Sequence, residues 1–212
     1  LGVINGLLIN ALDLHPFVVT LGTNTVFRGL TLLISNGSPI FGLPKSFKDI
    51  SGYVFGFPIP FLFALVMAVV LIWFTNRTVL ARNLYALGGN KQSAWYSGIN
   101  TKRFTLYAHM LASFLAGIAG VIMTSRVGAA EPTAGDGYET YAIAACIIGG
   151  TSFFGGKGKI FGVLLGGLTI GTITNGLNIL NVSSYWQKVV MGALIIASVA
   201  LEKLVGSTVK NK

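Results

Sequence analysis

Phe57–Phe74, FPIPFLFALVMAVVLIWF, and Phe104–Met123, FTLYAHMLASFLAGIAGVIM, enclose a polar stretch, Arg82–Asn100, RNLYALGGNKQSAWYSGIN. A membrane span needs about 20 apolar residues, with a range of roughly 17–25. Both flanking runs meet that requirement. The stretch between them has a helix-compatible composition but is too polar for lipid, so it must lie in water on one face of a membrane. Its mixture of glycines, small residues and aromatics predicts a surface read by another protein.

The rest of the chain agrees with that frame. Of 212 residues, 53% are hydrophobic and 10% charged, whereas soluble domains carry about 25% charged residues. The mean hydropathy is +0.73. We therefore expect an all-α integral membrane protein, a polytopic helical bundle of six to seven spans forming one transmembrane domain over residues 1–212. The 28 glycines suit helices that approach closely in lipid. A net charge of +9 reads as basic loops on the cytoplasmic side rather than as a nucleic-acid surface. Cys146 is the one cysteine. It excludes an intrachain disulfide and reads as a small apolar residue.

Leu1–Leu12 is too short to span and reads as the end of a longer segment. The opening LGVINGLLIN lacks both Met and the basic start of a signal peptide, so further spans are expected upstream. Phe17–Ser35 is the next span, with a polar face of Thr20, Thr23, Asn24, Thr25 and Arg28. Residues 35–56 read as an external loop with a small hairpin. After the polar stretch, assigned as a cytoplasmic loop over 76–103, Phe104–Met123 carries His109. We expect that histidine to bond to a neighbouring helix, since no ligand partners stand at metal spacing. Ile160–Leu180 and Tyr185–Leu204 are the last spans, followed by a basic tail.

Charge decides whether the short apolar run 139–151 crosses. If it crosses, the inner face holds Arg77, Arg82, Lys91, Lys102, Arg103, Lys157, Lys159, Lys203, Lys210 and Lys212. The outer face then holds Lys45, Lys48, Arg126 and Lys188, ten against four. Without the crossing the count becomes six against eight. The positive-inside rule favours the crossing and a cytoplasmic C-terminus. Residues 127–138, rich in Gly and Pro, then form a partly re-entrant outer loop feeding a short helix, tolerated where protein or water surrounds the backbone.

The pairs Gly2/Gly6, Gly162/Gly166 and Gly167/Gly171 have the GxxxG spacing that lets helix backbones approach. They predict a tight bundle and a helix–helix interface with another subunit. Asn175, Asn178 and Asn181 recur every third residue and would line one helix face. They serve either interhelical hydrogen bonds or a polar solute path. Catalytic groups are not in evidence: there is no HExxH, GxSxG or CxxC. Gly156-Lys157 is followed by Gly158 where a phosphate loop needs Ser or Thr, and Thr151 stands where it needs Gly. No chain of carboxylates crosses the membrane as in a proton relay. A transporter with neither feature takes its energy from a partner.

Five stretches, in order, carry a family resemblance. Ala86-Leu87-Gly88-Gly89-Asn90, Ser93-Ala94 and Ser97-Gly98-Ile99-Asn100 resemble the cytoplasmic coupling segment of permease subunits in bacterial ABC sugar importers of the ribose and methyl-galactoside type. Pro16 to Thr23 with Arg28-Gly29 is similar to an early span of those permeases. Pro132-Thr133-Ala134-Gly135, Gly137-Tyr138-Glu139 and Ala142 to Ala145 resemble their outer loop and short helix. Gly149 to Ser152 with Gly155 to Gly158 resembles the following turn, and Asn175 to Asn178 with Val182 to Gln187 the last hairpin. No one motif is very specific; five in register are.

The resemblance implies a homodimeric channel in a bacterial cell membrane. Cytoplasmic ABC ATPase subunits would bind ATP and Mg and drive it, and an extracytoplasmic sugar-binding protein would deliver the solute. It implies no cofactor on this chain. It implies coupling through Gly88, Gly89, Asn90, Ser93, Ala94, Ser97, Gly98 and Ile99, as a short helix within 84–98 whose glycines permit sharp entry and exit. Docking of the binding protein is expected at Glu131, Pro132, Thr133, Asp136, Tyr138 and Glu139. An uncharged residue is more usual in the family at position 136. Thr20, Thr23, Asn24, Asn175 and Asn178 are the candidates for a sugar path, which needs neutral hydrogen-bonding groups. The competing readings are a permease for branched-chain amino acids of the same superfamily and a secondary transporter or channel.

Overall fold

The computed structural model describes residues 1–210, excluding the side chains of 201 and 204–210; Lys212 of the basic tail lies outside the described residues. In chain order the helices are α1 (Gly2–Leu12), α2 (Pro16–Ser35), α3 (Lys45–Lys48), α4 (Ile59–Arg77), α5 (Val79–Gly89), α6 (Lys91–Tyr96), α7 (Thr101–Val127), α8 (Tyr138–Ile148), α9 (Ile160–Ile179) and α10 (Ser184–Lys210). A two-stranded hairpin, β1 (Tyr53–Val54) and β2 (Phe57–Pro58), precedes α4. Among the described residues four helices, α2, α4, α7 and α9, are long and apolar enough to cross a membrane; α1, α8 and Ser184–Ala200 of α10 are shorter apolar helices. The chain is thus an all-α membrane protein. Helix α8 has 11 residues, about 16 Å, roughly half the hydrocarbon thickness.

The residues form two compact units. The first comprises Leu1–Met67 and Lys91–Gly135. Here α1 packs along α7 through its GxxxG face: a Cβ on Gly2 would stand 2.8 Å from Met110 Cα, and one on Gly6 2.9 Å from Leu106 Cα. Asn10 Nδ2 donates to Lys102 O at 2.7 Å, and Asp13 pairs with Lys91 at 3.5 Å. Helix α2 starts at Pro16, whose missing N–H is no loss in a first turn. His109 Nδ1 lies 2.8 Å from Thr105 O of its own helix, so its bond is along α7 and not to a neighbouring helix, as the sequence suggested.

The loop after α2 is clipped to the C-terminal end of α7. Ile40 and Ala130 exchange both backbone hydrogen bonds at 3.0 Å. Buried Ser125 donates to Phe47 O at 2.8 Å and lies 3.0 Å from Ser51 Oγ. Helix α7 ends at Gly128 in the left-handed region, φ 74°, a conformation glycine adopts without a Cβ clash. The first turns of α4 and the middle of α7 bound an apolar cleft of about 580 Å³, lined by Ile59, Phe63, Phe114, Ile118 and Val121.

The second unit comprises Ala68–Asn90 and the chain from Asp136 onward. Its core is Ala144, Ala145, Ile170 and Met191, with Tyr141, Ile148, Leu194 and Ile195 packed around it. Small residues bring α8 and α9 together backbone to backbone. A Cβ on Gly166 would stand 2.9 Å from Gly149 N, and one on Gly149 2.8 Å from Val163 Cα. The Gly162/Gly166 pair therefore joins two helices of one chain, whereas Cβ atoms at Gly167 and Gly171 would meet nothing within 4 Å among the described residues. The asparagine stripe is interrupted too: α9 ends at Ile179, and Asn181 sits in the following turn at φ 55°.

Candidate functional site

The polar stretch folds as the end of α5 and the short helix α6, which lies within 84–98. Thr78 caps α5 by accepting from Ala81 N at 3.2 Å, which satisfies one of the free N–H groups of a helix start. Gly88 and Gly89 are helical and close α5. At Gly88 the absent side chain permits close approach to the turn before α9. A Cβ on Gly88 would stand 2.9 Å from Gly156 N, and Gly155 and Gly156 occupy the left-handed region at φ 90° and 72°. One turn earlier, Tyr85 Oη donates to Gly158 O at 3.1 Å. The last turn of α5 is thus locked onto the turn between α8 and α9. That turn is held in its own right: Ser152 N donates to Lys157 O at 2.9 Å and Phe153 N to Glu202 Oε2 at 3.1 Å. Sequence reasoning missed Tyr85 and the reason for the second glycine pair; the double Gly-Gly pattern was the available signal.

Gly88, Gly89 and Asn90 belong to the second unit, and Ser93, Ala94, Ser97, Gly98 and Ile99 to the first. Helix α6 lies against α7 with Ala94 buried. It ends through Gly98 at φ 81°, with Gly98 N bonding Trp95 O and Ile99 N bonding Ala94 O. Ser97 Oγ donates to Ser93 O at 3.0 Å. Asn100 then caps α7 through Arg103 N at 3.1 Å. On the open side Trp95 and Tyr96 are 61% and 71% exposed, their ring centroids 5.1 Å apart. Large exposed aromatics of this kind are the residues that anchor protein interfaces. The family resemblance assigns Trp95 no role; Ala94 is buried beside it while Trp95 is exposed.

Arg28 holds the loop after α7. Its Nη1 donates to Pro132 O at 3.1 Å and Ala134 O at 3.3 Å, so this charge serves loop carbonyls. Beside it, Thr133 Oγ1 donates to Glu131 Oε1 at 2.7 Å. Glu131, Pro132 and Thr133 lie in the first unit, and Asp136, Tyr138 and Glu139 in the second. Gly137, at φ 78°, starts α8, with Glu139 in its first turn, where a carboxylate complements the helix dipole.

Thr20, Thr23 and Asn24 lie on α2 in the first unit, Asn175 and Asn178 on α9 in the second. The Thr20 hydroxyl donates to Pro16 O at 3.0 Å and that of Thr23 to Thr20 O at 3.2 Å. Both keep acceptor capacity for a ligand hydroxyl. Asn24 and Asn175 are exposed. Asn178 Oδ1 accepts from Gln187 Nε2 at 2.8 Å, and buried Gln187 also donates to Val182 O at 3.0 Å. Asn178 thereby closes the α9–α10 hairpin. Among the described residues no group of three or more His, Cys, Asp or Glu stands together to hold a metal ion.

The family model described as "Branched-chain amino acid transport system / permease component" matches residues 1–199. The chain is 57% identical over 206 residues to the D-allose transport system permease protein of Escherichia coli K12, covering 97% of this chain and 63% of the relative. It is 47% identical over 203 residues to the ribose import permease protein of Bacillus subtilis 168, covering 94% and 63%. It is 34% identical over 212 residues to the galactose/methyl galactoside import permease protein of Haemophilus influenzae, covering 96% and 63%. The chain thus spans less than two thirds of the length of these curated relatives. No solved structure matches it.

Proposed function

From the premise that the chain belongs to the family described as the permease component of the branched-chain amino acid transport system, we propose that it is part of the membrane channel subunit of an ATP-driven sugar importer. The observation that carries this reading is the 57% identity, over nearly the whole chain, to a permease named for D-allose transport. Relatives named for ribose and galactose support the monosaccharide class. The amino-acid reading rests on the family description. A secondary transporter would need an ion-coupled charge within the membrane, and Arg28 is bonded to loop carbonyls.

The chain does no chemistry itself. ATP and Mg bind to cytoplasmic ATPase subunits, and an extracytoplasmic binding protein delivers the sugar to a permease homodimer in the bacterial inner membrane. The C-terminus lies in the cytoplasm. Residues 76–103 are the coupling segment: α6 offers Trp95 and Tyr96 to the ATPase, and α5 carries Gly88 and Gly89. Residues Glu131 to Glu139 receive the binding protein. Thr20, Thr23, Asn24, Asn175 and Asn178 offer the solute weak neutral hydrogen bonds, which suit a conduit; selection then lies with the binding protein.

The test is reconstitution of the full-length permease in liposomes with its ATPase and binding protein, followed by labelled allose, ribose, galactose and leucine. ATP-dependent uptake of a sugar is the expected result. Uptake of leucine alone, or sugar flux indifferent to ATP, would overturn the reading. Replacing both Trp95 and Tyr96 by Ala should release the ATPase on co-purification while the permease still inserts.

A further inference from the structure

The hairpin before α4 turns in two residues, Phe55 and Gly56, with Val54 opposite Phe57 and Tyr53 opposite Pro58. Both turn residues have positive φ, 51° and 80°, as in the type I′ turn that suits a two-residue hairpin. That turn favours Asn or Asp at its first position, and an aromatic side chain there is a backbone outlier. The outlier is paired with a second cost, because Phe55 is 97% exposed. An apolar ring held in the left-handed region and bare to water is stabilised by neither backbone nor solvent. Such a residue points to a contact made outside the chain.

The surroundings identify the contact. Phe57 stacks on Phe61 in the first turn of α4, with centroids 6.4 Å apart and planes at 23°. Strand β2 therefore continues directly into the exposed apolar surface of α4, where Phe61, Leu65 and Val66 are open. Helix α4 is one of the four long and apolar enough to cross a membrane. Its first residue follows the hairpin without a linker, so the turn stands where the chain enters the bilayer. Tyr53, 76% exposed, adds an amphipathic ring of the type enriched at membrane–water boundaries, and Lys45 and Lys48 lie just upstream. A two-stranded hairpin has open edges whose backbone groups need water, which excludes burial in the hydrocarbon.

We propose that the Tyr53–Pro58 hairpin is an interfacial anchor, with the Phe55 ring seated in the bilayer at the boundary between headgroups and acyl chains. The anchor fixes the depth and rotation at which α4 begins. It depends only on the chain being a membrane protein, not on which solute is carried.

The experiment places a nitroxide label at Phe55→Cys in the full-length protein in liposomes, on a background of Cys146→Ala and no other cysteine. Collision with oxygen, which concentrates in lipid, is compared with collision with a water-soluble nickel chelate; Ser38→Cys is the water-facing control. Oxygen collisions should exceed nickel collisions several-fold at position 55, with the order reversed at 38. Preferential collision with nickel at 55 would overturn the proposal. So would shielding from both reagents, since it would mean that protein, whether a second copy or another part of the full chain, covers the ring.

Discussion

The Cβ that Gly88 lacks would stand 2.9 Å from the backbone nitrogen of Gly156, whereas the one that Gly89 lacks would stand 3.8 Å from Gly156 Cα. Two adjacent glycines of one helical turn therefore differ in what they permit. The first allows backbone contact that no side chain would; the second sits at ordinary van der Waals distance. Gly88→Ala should destabilise the purified protein by about 1–3 kcal/mol through overpacking. Gly89→Ala should be near neutral, because removing a helical glycine regains about 1 kcal/mol of propensity. Thermal melting in detergent checks the pair, and equal losses would contradict the contact.

Arg28 reaches two carbonyls of a loop more than a hundred residues away in sequence. Hydrogen bonds from a charged donor contribute about 1.5–3 kcal/mol. Arg28→Leu should loosen residues 130–135, read as faster amide exchange and new proteolysis there. Arg28→Lys should recover part of the protection, since an ammonium lacks the planar fork that spans two acceptors. Unchanged exchange in Arg28→Leu would show that the loop is ordered by other contacts.

Ser125 is 2% exposed and donates to Phe47 O. Ser125→Ala removes the donor to that carbonyl, at a cost of about 1–3 kcal/mol. Residues 44–51 should then exchange faster than in the unaltered protein, while the second unit stays protected. Exchange confined to other regions would refute the clip.

Gln187 and Asn178 share a hydrogen bond in the α9–α10 hairpin, and Asn175 is exposed. Gln187→Ala and Asn178→Ala should each lower the melting temperature, with a double variant less destabilised than the sum because the two act on one bond. Asn175→Ala should leave melting unchanged and affect only solute flux. A flux loss in Asn178→Ala at unaltered stability would instead favour a path role for that residue.

Gly166 and Gly167 are neighbours facing different surroundings. Gly166→Ala would drive a Cβ to 2.9 Å from Gly149 N; Gly167→Ala meets nothing within 4 Å among the described residues. Monomer stability should fall by about 1–3 kcal/mol in the first and hold or rise in the second. Any loss in Gly167→Ala that appears only in the assembled transporter would locate a subunit contact on that side of α9.

The membrane class, the order of the long spans and the polar interval between α4 and α7 were legible in the sequence alone. Lipid demands an uninterrupted apolar length, and that property accumulates along the chain from Phe57 to Phe74 or from Phe104 to Met123 without reference to any distant residue. The shortness of α8 was readable for the same reason. Tertiary structure decided what individual residues do. Gly88 looks like a helix boundary alone until Gly156 is placed against it. Arg28 looks like a charge in a span until the carbonyls of Pro132 and Ala134 reach it. Asn178 looks like part of a stripe until Gln187 takes its oxygen, and Trp95 acquires an outward face only once Ala94 is buried. Each of these roles depends on a partner brought close by folding, and residue spacing along the chain does not encode which partner arrives.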